Sequence, residues 1–139
     1  SAASDTIPNK GRVFLSVRDA DKDQLPEIAK GLVELGFALV ATQGSAKVIS
    51  EAGMEVQLVN KVQEGRPHIV DMLKNHDVDF IVNTTEGKQA IADSYLIRRT
   101  ALQNKVCYTT TMAGGRASVA ALRYGEDRTD HSLQDLQRR

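Results

Sequence analysis

Residues 37–53 read FALVATQGSAKVISEAG, which places a short apolar run, a polar turn and a segment of helical period in direct succession. The run at 37–42 is almost continuously apolar, as in strands that are buried on both faces. The turn contains Gly44, and Ser45 to Ala52 is predicted as a short helix that ends at Gly53. A strand that leads directly into a helix is the repeating unit of a parallel α/β sheet.

The same succession recurs along the chain and predicts an α/β domain. Apolar runs rich in β-branched residues predict four more strands, RVFLSV (12–17), VQLVN (56–60), DFIVNT (79–84) and VCYTT (106–110). Helical spacing predicts helices at 21–36, 67–74, 86–104, 112–123 and, at the terminus, 130–139. Within the longest of these, Asp93 and Ser94 stand where they could cap a second helical piece.

Length and charge limit the classes of function. The 139 residues fit one compact domain. Residues 1–10, SAASDTIPNK, are predicted as a flexible arm or linker remnant, which leaves 11–139 as the single domain. Eighteen Lys and Arg balance eighteen Asp and Glu, so no net positive field favours a nucleic acid or an anionic membrane as partner. A charged ligand is therefore expected at a local patch.

Cysteine usage and hydropathy indicate a cytoplasmic protein. One cysteine and three histidines supply neither an internal disulfide nor a cysteine-rich metal site. The sequence has no run of the roughly twenty apolar residues that a membrane helix needs, and its first ten residues lack the apolar stretch of a signal peptide. Cys107 lies within an apolar run and is predicted to be a buried small hydrophobic residue.

Polar or cationic side chains follow every predicted strand. The carboxyl ends of parallel strands meet at one edge of a sheet, where helix N-termini direct free N–H groups outward. Hydroxyl and amide donors together with lysine predict an oxyanion site there, with phosphate as the ligand. The loop at 42–45 is the sharpest part of this pattern. The polar and cationic residues that follow the five strands include Ser16, Arg18, Lys22, Thr42, Gln43, Gly44, Ser45, Asn60, Lys61, Asn83, Thr84, Thr85, Tyr108, Thr110 and Thr111.

Several of these residues also have a plainer interpretation. Threonine and serine are common helix N-caps, and Lys61 fits a solvated surface lysine as well as a ligand. His68 fits a helix entry with an exposed imidazole more readily than proton transfer. Gly114 and Gly115 fit a tight turn before a helix. The sequence alone leaves these alternatives open.

The sequence contains no arrangement that is typical of catalysis. It has neither a nucleophile signature nor HExxH, and TQGS at 42–45 is neither a Walker A motif nor GxGxxG. Carboxylates near the strand ends are few, chiefly Asp19, Asp21 and Glu86, and the first two stand where helix caps are expected. A site rich in donors and poor in bases binds anions better than it moves protons.

Five segments then point to a known family. They are LSVRDADK (15–22), GFALVATQGSAKVISEAG (36–53), LVNKVQEGRPHI (58–69), IVNTTEGKQAIADSYLIRRTAL (81–102) and KVCYTTTMAGG (105–115). Through them, the chain from Gly11 to about Leu122 closely resembles the C-terminal allosteric domain of bacterial carbamoyl phosphate synthetase large subunits, in the methylglyoxal synthase-like group. The resemblance implies a fragment of a longer polypeptide. It also implies a three-layer α/β/α fold whose five-stranded parallel sheet has the order 3-2-1-4-5.

The resemblance further implies one shared site for two nucleotides, the inhibitor UMP and, in some members, the activator IMP. Ser45 stands where a family member has threonine, so the hydroxyl is kept. Tyr108 and Thr110 match residues of the family's ornithine region, whose other ligands lie outside this chain. Gly44 and Thr84 belong to the same strand-end loops as the nucleotide residues. Those carried over by position are Ser16, Lys22, Thr42, Ser45, Lys61, Asn83 and Thr85.

The parent enzyme of that family makes carbamoyl phosphate from glutamine, bicarbonate and ATP, for pyrimidine and arginine biosynthesis. ATP, magnesium and the glutaminase small subunit would then belong to the parent, and this domain would hold no cofactor and be non-catalytic alone. The alternative is a stand-alone phosphate-ligand enzyme, such as methylglyoxal synthase or an IMP cyclohydrolase. Their catalytic stretches are replaced here by NKVQEGRPHI (60–69). A pure assembly domain without a ligand is the third interpretation.

Overall fold

A five-stranded parallel sheet with the order β3-β2-β1-β4-β5 organises the chain. The computed structural model describes residues 11–61, 68–84 and 88–126. The strand order and the parallel pairing confirm the fold class that the family resemblance implies. The strands are β1 (Arg12–Ser16), β2 (Ala38–Ala41), β3 (Gln57–Leu58), β4 (Phe80–Asn83) and β5 (Cys107–Thr109).

Helices follow the strands as the alternating pattern predicts. The predicted helix at 21–36 begins as a 3-10 helix, Asp19–Gln24, and continues as an α-helix with Pro26 in its first turn, where no backbone N–H is required. It stops before Gly36, whose φ of 97° lies in the left-handed region. The α-helices are α1 (Leu25–Glu34), α2 (Gln43–Glu51), α3 (Ile69–Lys74), α4 (Lys88–Gln103) and α5 (Met112–Glu126).

Both faces of the sheet are covered, which explains the continuously apolar strands. Successive strand residues point to opposite faces. Val13 and Leu15 pack with α1, α2 and α5 in one apolar cluster, whereas Phe14 packs with α3 and α4 in the other. The result is the expected three-layer α/β/α arrangement. None of the described helices is long and apolar enough to cross a membrane.

Three local predictions were wrong. α4 is one continuous helix, so Asp93 and Ser94 lie in its interior and do not begin a second helical piece. Gly114 and Gly115 lie in the first turn of α5 and not in a tight turn, and a Cβ on Gly115 would stand 3.3 Å from Ile28 Cδ1. Cys107 is exposed because β5 is an edge strand. The predicted arm at 1–10 and the predicted helix at 130–139 lie outside the described residues.

Strand register brings the predicted site residues to one edge. Ser16 is paired with Asn83 across β1 and β4, and Leu15 is paired with Ala41 across β1 and β2. The next residue of the β2 chain is Thr42, which precedes α2. The ends of three neighbouring strands and the start of α2 therefore lie side by side.

Candidate functional site

The side chain of the N-cap residue does not cap α2. Thr42 is the N-cap residue, with an extended backbone (φ −75°, ψ 165°), and its side chain makes no capping hydrogen bond. Its Oγ1 lies instead 3.2 Å from Ser16 Oγ at the end of β1. The interpretation of Thr42 as a side-chain cap is therefore wrong. Because no Thr42 side-chain bond satisfies the first-turn N–H groups, they remain suited to an anionic ligand.

Ser45 ties the first turn of α2 to β1. Its Oγ accepts a hydrogen bond of 2.9 Å from the backbone N–H of Val17, and the residue is 1% exposed. A hydroxyl that accepts in this way keeps its own hydrogen as a donor. Ser45 therefore shapes the loop and can still donate to an oxyanion.

Thr84 makes the equivalent tie between β4 and β1. Its Oγ1 accepts a 3.0 Å hydrogen bond from the N–H of Arg18, and its own N–H donates to the Ser16 carbonyl at 2.9 Å. Its hydroxyl likewise keeps a hydrogen to donate. Thr85, the next residue and a predicted ligand, lies outside the described residues.

Lys22 supplies a positive charge directly over the first turn of α2. A Cβ built on Gly44 would stand 2.8 Å from Lys22 Nζ and 3.3 Å from its Cε. Only glycine therefore lets the lysine approach the helix so closely. The ammonium donates a hydrogen bond to Oδ1 of Asp19, one helical turn earlier.

The charge of Lys61 also acts on Asp19, the ion-pair partner of Lys22. Its side chain is exposed beyond β3. The hydrogen bond and the charge of Lys22 lower the pKa of Asp19 below its ordinary 3.8, and the charge of Lys61 lowers that pKa further. Two of the predicted phosphate-binding lysines thus act on one carboxylate at the rim of the site.

Asn83 is connected to a residue of the predicted ornithine region. Its Nδ2 donates to the hydroxyl of Tyr108 at 2.9 Å and to Ser94 Oγ at 3.0 Å, and Asn83 is 4% exposed. Both amide hydrogens are used in these bonds. Asn83 is therefore less suited to donate to phosphate than the hydroxyls are. Thr110, the other residue of that region, is exposed just after β5.

Ser94 is a site residue that the sequence analysis did not identify. It lies in the middle of α4, and nothing in the local pattern distinguishes it from a surface serine. Only the packing of α4 against the sheet brings it to Asn83.

His68 differs from its predicted exposure. The side chain is 14% exposed, and its Nε2 lies 3.7 Å from Asp71 Oδ2. Its backbone forms an isolated parallel bridge with Asn60, next to Lys61. Within the described ranges, no group of three His, Cys, Asp or Glu residues could hold a metal ion.

The assembled edge is rich in hydrogen-bond donors. It combines the hydroxyl hydrogens, the N–H groups at the start of α2, which the Thr42 side chain does not cap, and nearby lysines. Two acidic residues at its rim are engaged in ion pairs, Asp19 with Lys22 and Asp21 with Arg18 at 2.8 Å. The fold and site thus define an α/β domain with a donor-rich edge at its strand ends.

Comparison with known proteins identifies the family. A family model described as the MGS-like domain matches residues 24–110, and the chain belongs to that family. The chain is 57% identical over 134 residues to the carbamoyl phosphate synthase large chain of Pseudomonas putida, covering 96% of this chain and 12% of that protein. It is 53% identical over 137 residues to the large chain of Halomonas eurihalina, covering 96% and 13%.

The chain therefore spans only 12–13% of the length of these relatives. Two solved structures share its fold. Methylglyoxal synthase from Elizabethkingia anophelis gives a TM-score of 0.65 at 18% identity, covering 81% of this chain and 78% of that one. The crystal structure of ForH gives 0.62 at 16% identity, covering 83% and 79%. At these identities the likeness concerns the fold alone.

Proposed function

We propose that the chain is the allosteric domain of a carbamoyl phosphate synthetase large subunit, and that it binds the phosphate of UMP or IMP at the start of α2. The observation that carries this proposal is the cluster around Gly44. Lys22 lies over the first helical turn, and the Thr42 side chain does not cap that turn. A phosphate is the ligand that such a set of donors and charges suits best.

The polar row beside this cluster suits the uncharged part of a nucleotide. Ser16 and Asn83 are register partners on adjacent strands, and Asn83 extends the row to Tyr108. These groups are neutral and offer both donors and acceptors. We assign Thr42, Gly44, Ser45, Lys22 and Lys61 to the phosphate. Ser16, Asn83, Thr84 and Thr85 are assigned to the remainder of the site.

The regulatory role follows from linkage. A nucleotide can inhibit or activate a remote active site only by binding one conformation of the whole subunit more tightly than another. The reaction, its ATP and magnesium, and the glutaminase partner would lie in the rest of a cytoplasmic enzyme. An ornithine site would need groups from that remainder in addition to Tyr108 and Thr110.

An independent enzyme of the same group is the alternative function. It would need a general base at the phosphate site. Asp19 is a poor candidate, because its hydrogen bond and ion pair with Lys22 lower its pKa and so disfavour its accepting a proton. The Asp21 carboxylate is engaged with Arg18. The binding domain is therefore the better-supported function.

Calorimetric titration tests the proposal. UMP and IMP are titrated into the purified chain, with uridine, inosine and inorganic phosphate as ligands that each lack one part. Nucleotides should bind more tightly than nucleosides, and Lys22→Met should reduce that difference while Lys30→Ala, an exposed lysine of α1, should not. Equal affinity for UMP and uridine would contradict a phosphate site.

A further inference from the structure

The 3-10 helix before α1 contains two interleaved ion pairs. Arg18 pairs with Asp21, and Asp19 pairs with Lys22, each pair spanning three residues. The two partners in the second pair differ in their surroundings. The Asp19 side chain is 92% exposed, whereas the Lys22 side chain is 24% exposed. The lysine is fixed by its surroundings, and the carboxylate is free to turn toward solvent.

Lys22 has surroundings other than Asp19. Its Nζ and Cε lie 2.8 and 3.3 Å from the position that a Cβ on Gly44 would take, and the side chain is only 24% exposed. An ammonium beside the positive end of a helix is electrostatically unfavourable unless an anion is shared between them. In this structure, the Asp19 carboxylate is the anion that the Lys22 ammonium contacts.

We propose that Asp19 acts as an internal competitor of the ligand: its carboxylate occupies Lys22 when the site is empty and must give up the lysine to the phosphate. The inference rests on the proposed function, since it concerns the same phosphate site. The pKa of Asp19, lowered by Lys22 and then by Lys61, supports it, because both lysines already favour the negative charge of this carboxylate.

Competition from Asp19 affects only the affinity for the phosphate group of the ligand. A phosphate that binds forms an ion pair with Lys22, and it repels the Asp19 carboxylate if that carboxylate stays nearby. Uridine or inosine presents no negative charge, so it neither needs the lysine nor meets the repulsion. Asp19 thus weakens binding of phosphorylated ligands and leaves binding of nucleosides unchanged.

If Asp19 instead positioned Lys22 for the ligand, its substitution would have the opposite effect on phosphate affinity. If Asp19 held Lys22 in place for the ligand, its removal would loosen the lysine and weaken phosphate binding. The partial burial of Lys22 and the closeness of its Nζ and Cε to Gly44 argue against this role. A substitution that removes the charge but keeps the shape separates the two.

The test is a double-mutant cycle on the full chain with Asp19→Asn, Lys22→Met and the combined variant. Asp23→Asn is the matched control, because it removes the same charge from an exposed residue of the same 3-10 helix. Affinities for UMP, IMP, uridine and inorganic phosphate are measured by calorimetry at two ionic strengths. Inorganic phosphate is included because it reports on Asp19 without requiring a nucleotide site.

Asp19→Asn should tighten binding of phosphate and of the nucleotides by about three- to fivefold, the scale of one exposed ion pair. Asp23→Asn should change affinity by less than about twofold. The gain should shrink in the Lys22→Met background and at high salt. Uridine affinity should not change.

Weaker phosphate binding by Asp19→Asn would overturn the inference, and so would an equal gain in the Lys22→Met background. Phosphate binding without any nucleotide binding would overturn the proposed function and leave the competition to be judged by phosphate alone. A chain that binds neither phosphate nor nucleotide, with or without Asp19, would overturn both.

Discussion

Ser45→Ala removes one oxygen atom and leaves a buried backbone donor without its partner. The Val17 N–H donates to Ser45 Oγ at 2.9 Å, and the two residues are 6% and 1% exposed. Water cannot replace the hydroxyl without entering the space between α2 and the end of β1. The substitution therefore tests whether the site loop is held by this bond.

The expected loss follows from the burial of the donor. An unsatisfied buried N–H costs about 1–3 kcal/mol, and the middle of this range is about 2 kcal/mol. The slope of unfolding in urea is about 1–3 kcal/mol per molar for small proteins, so the urea midpoint should fall by about 1 M. The slope itself should not change, because the surface exposed on unfolding is the same.

Urea unfolding followed by circular dichroism measures this loss. Ser50→Ala is the matched control, because Ser50 is an exposed serine of the same helix. Amide hydrogen exchange gives a local reading, in which Val17 should lose protection in Ser45→Ala and keep it in Ser50→Ala. A midpoint that falls no further than that of the control would refute the reasoning, and Ser45 would then serve the ligand alone.

Four further predictions concern the ligand and the chemistry. Lys61→Ala should weaken UMP or IMP binding by about 1.5–3 kcal/mol, the range of a hydrogen bond to a charged group, and leave uridine and inosine unaffected in titrations. Thr42→Val should act in the same direction but less strongly. Tyr108→Phe should lower nucleotide affinity by about two- to fivefold, because it removes the hydroxyl to which Asn83 donates. Inorganic phosphate should bind as before, because this hydroxyl is not assigned to the phosphate. The purified chain should form no methylglyoxal from dihydroxyacetone phosphate, and activity that co-purifies with the chain would contradict this.

The sequence predicted the layers of this fold because local pattern determines them. Apolar runs buried on both faces become central strands, and Leu39 and Val40 are accordingly buried on opposite sides. The strand order could come only from family resemblance, since it depends on contacts between distant segments. The edges of the sheet were the hardest part to predict. Cys107 lies in an apolar run yet is exposed, because an edge strand has one uncovered side.

The sequence predicts which residues lie at the strand ends but not the hydrogen bonds that connect them. Polar residues after parallel strands must meet at one edge, so Ser16, Thr42 and Asn83 could be grouped from the pattern. Their partners could not be predicted, because a serine that accepts from a backbone N–H looks in sequence like one that caps a helix. Ser94 shows this limit, since its contact with Asn83 spans 11 residues and requires a packed helix.

The contrast between the rigid and the adjustable parts of this edge decides where affinity can be tuned. The Ser45 and Thr84 hydroxyls accept hydrogen bonds from the backbone N–H groups of the two residues that follow β1, Val17 and Arg18 respectively. These bonds fix the hydroxyls, and their loss would destabilise the fold. Donors fixed before the ligand arrives cost little entropy on binding and discriminate by shape. Asp19 is joined to Lys22 by an ion pair at the surface, and its exposed carboxylate can turn to solvent at small cost. Changes in charge near the 3-10 helix should therefore alter affinity without altering stability, whereas changes in the hydroxyl ties should alter both.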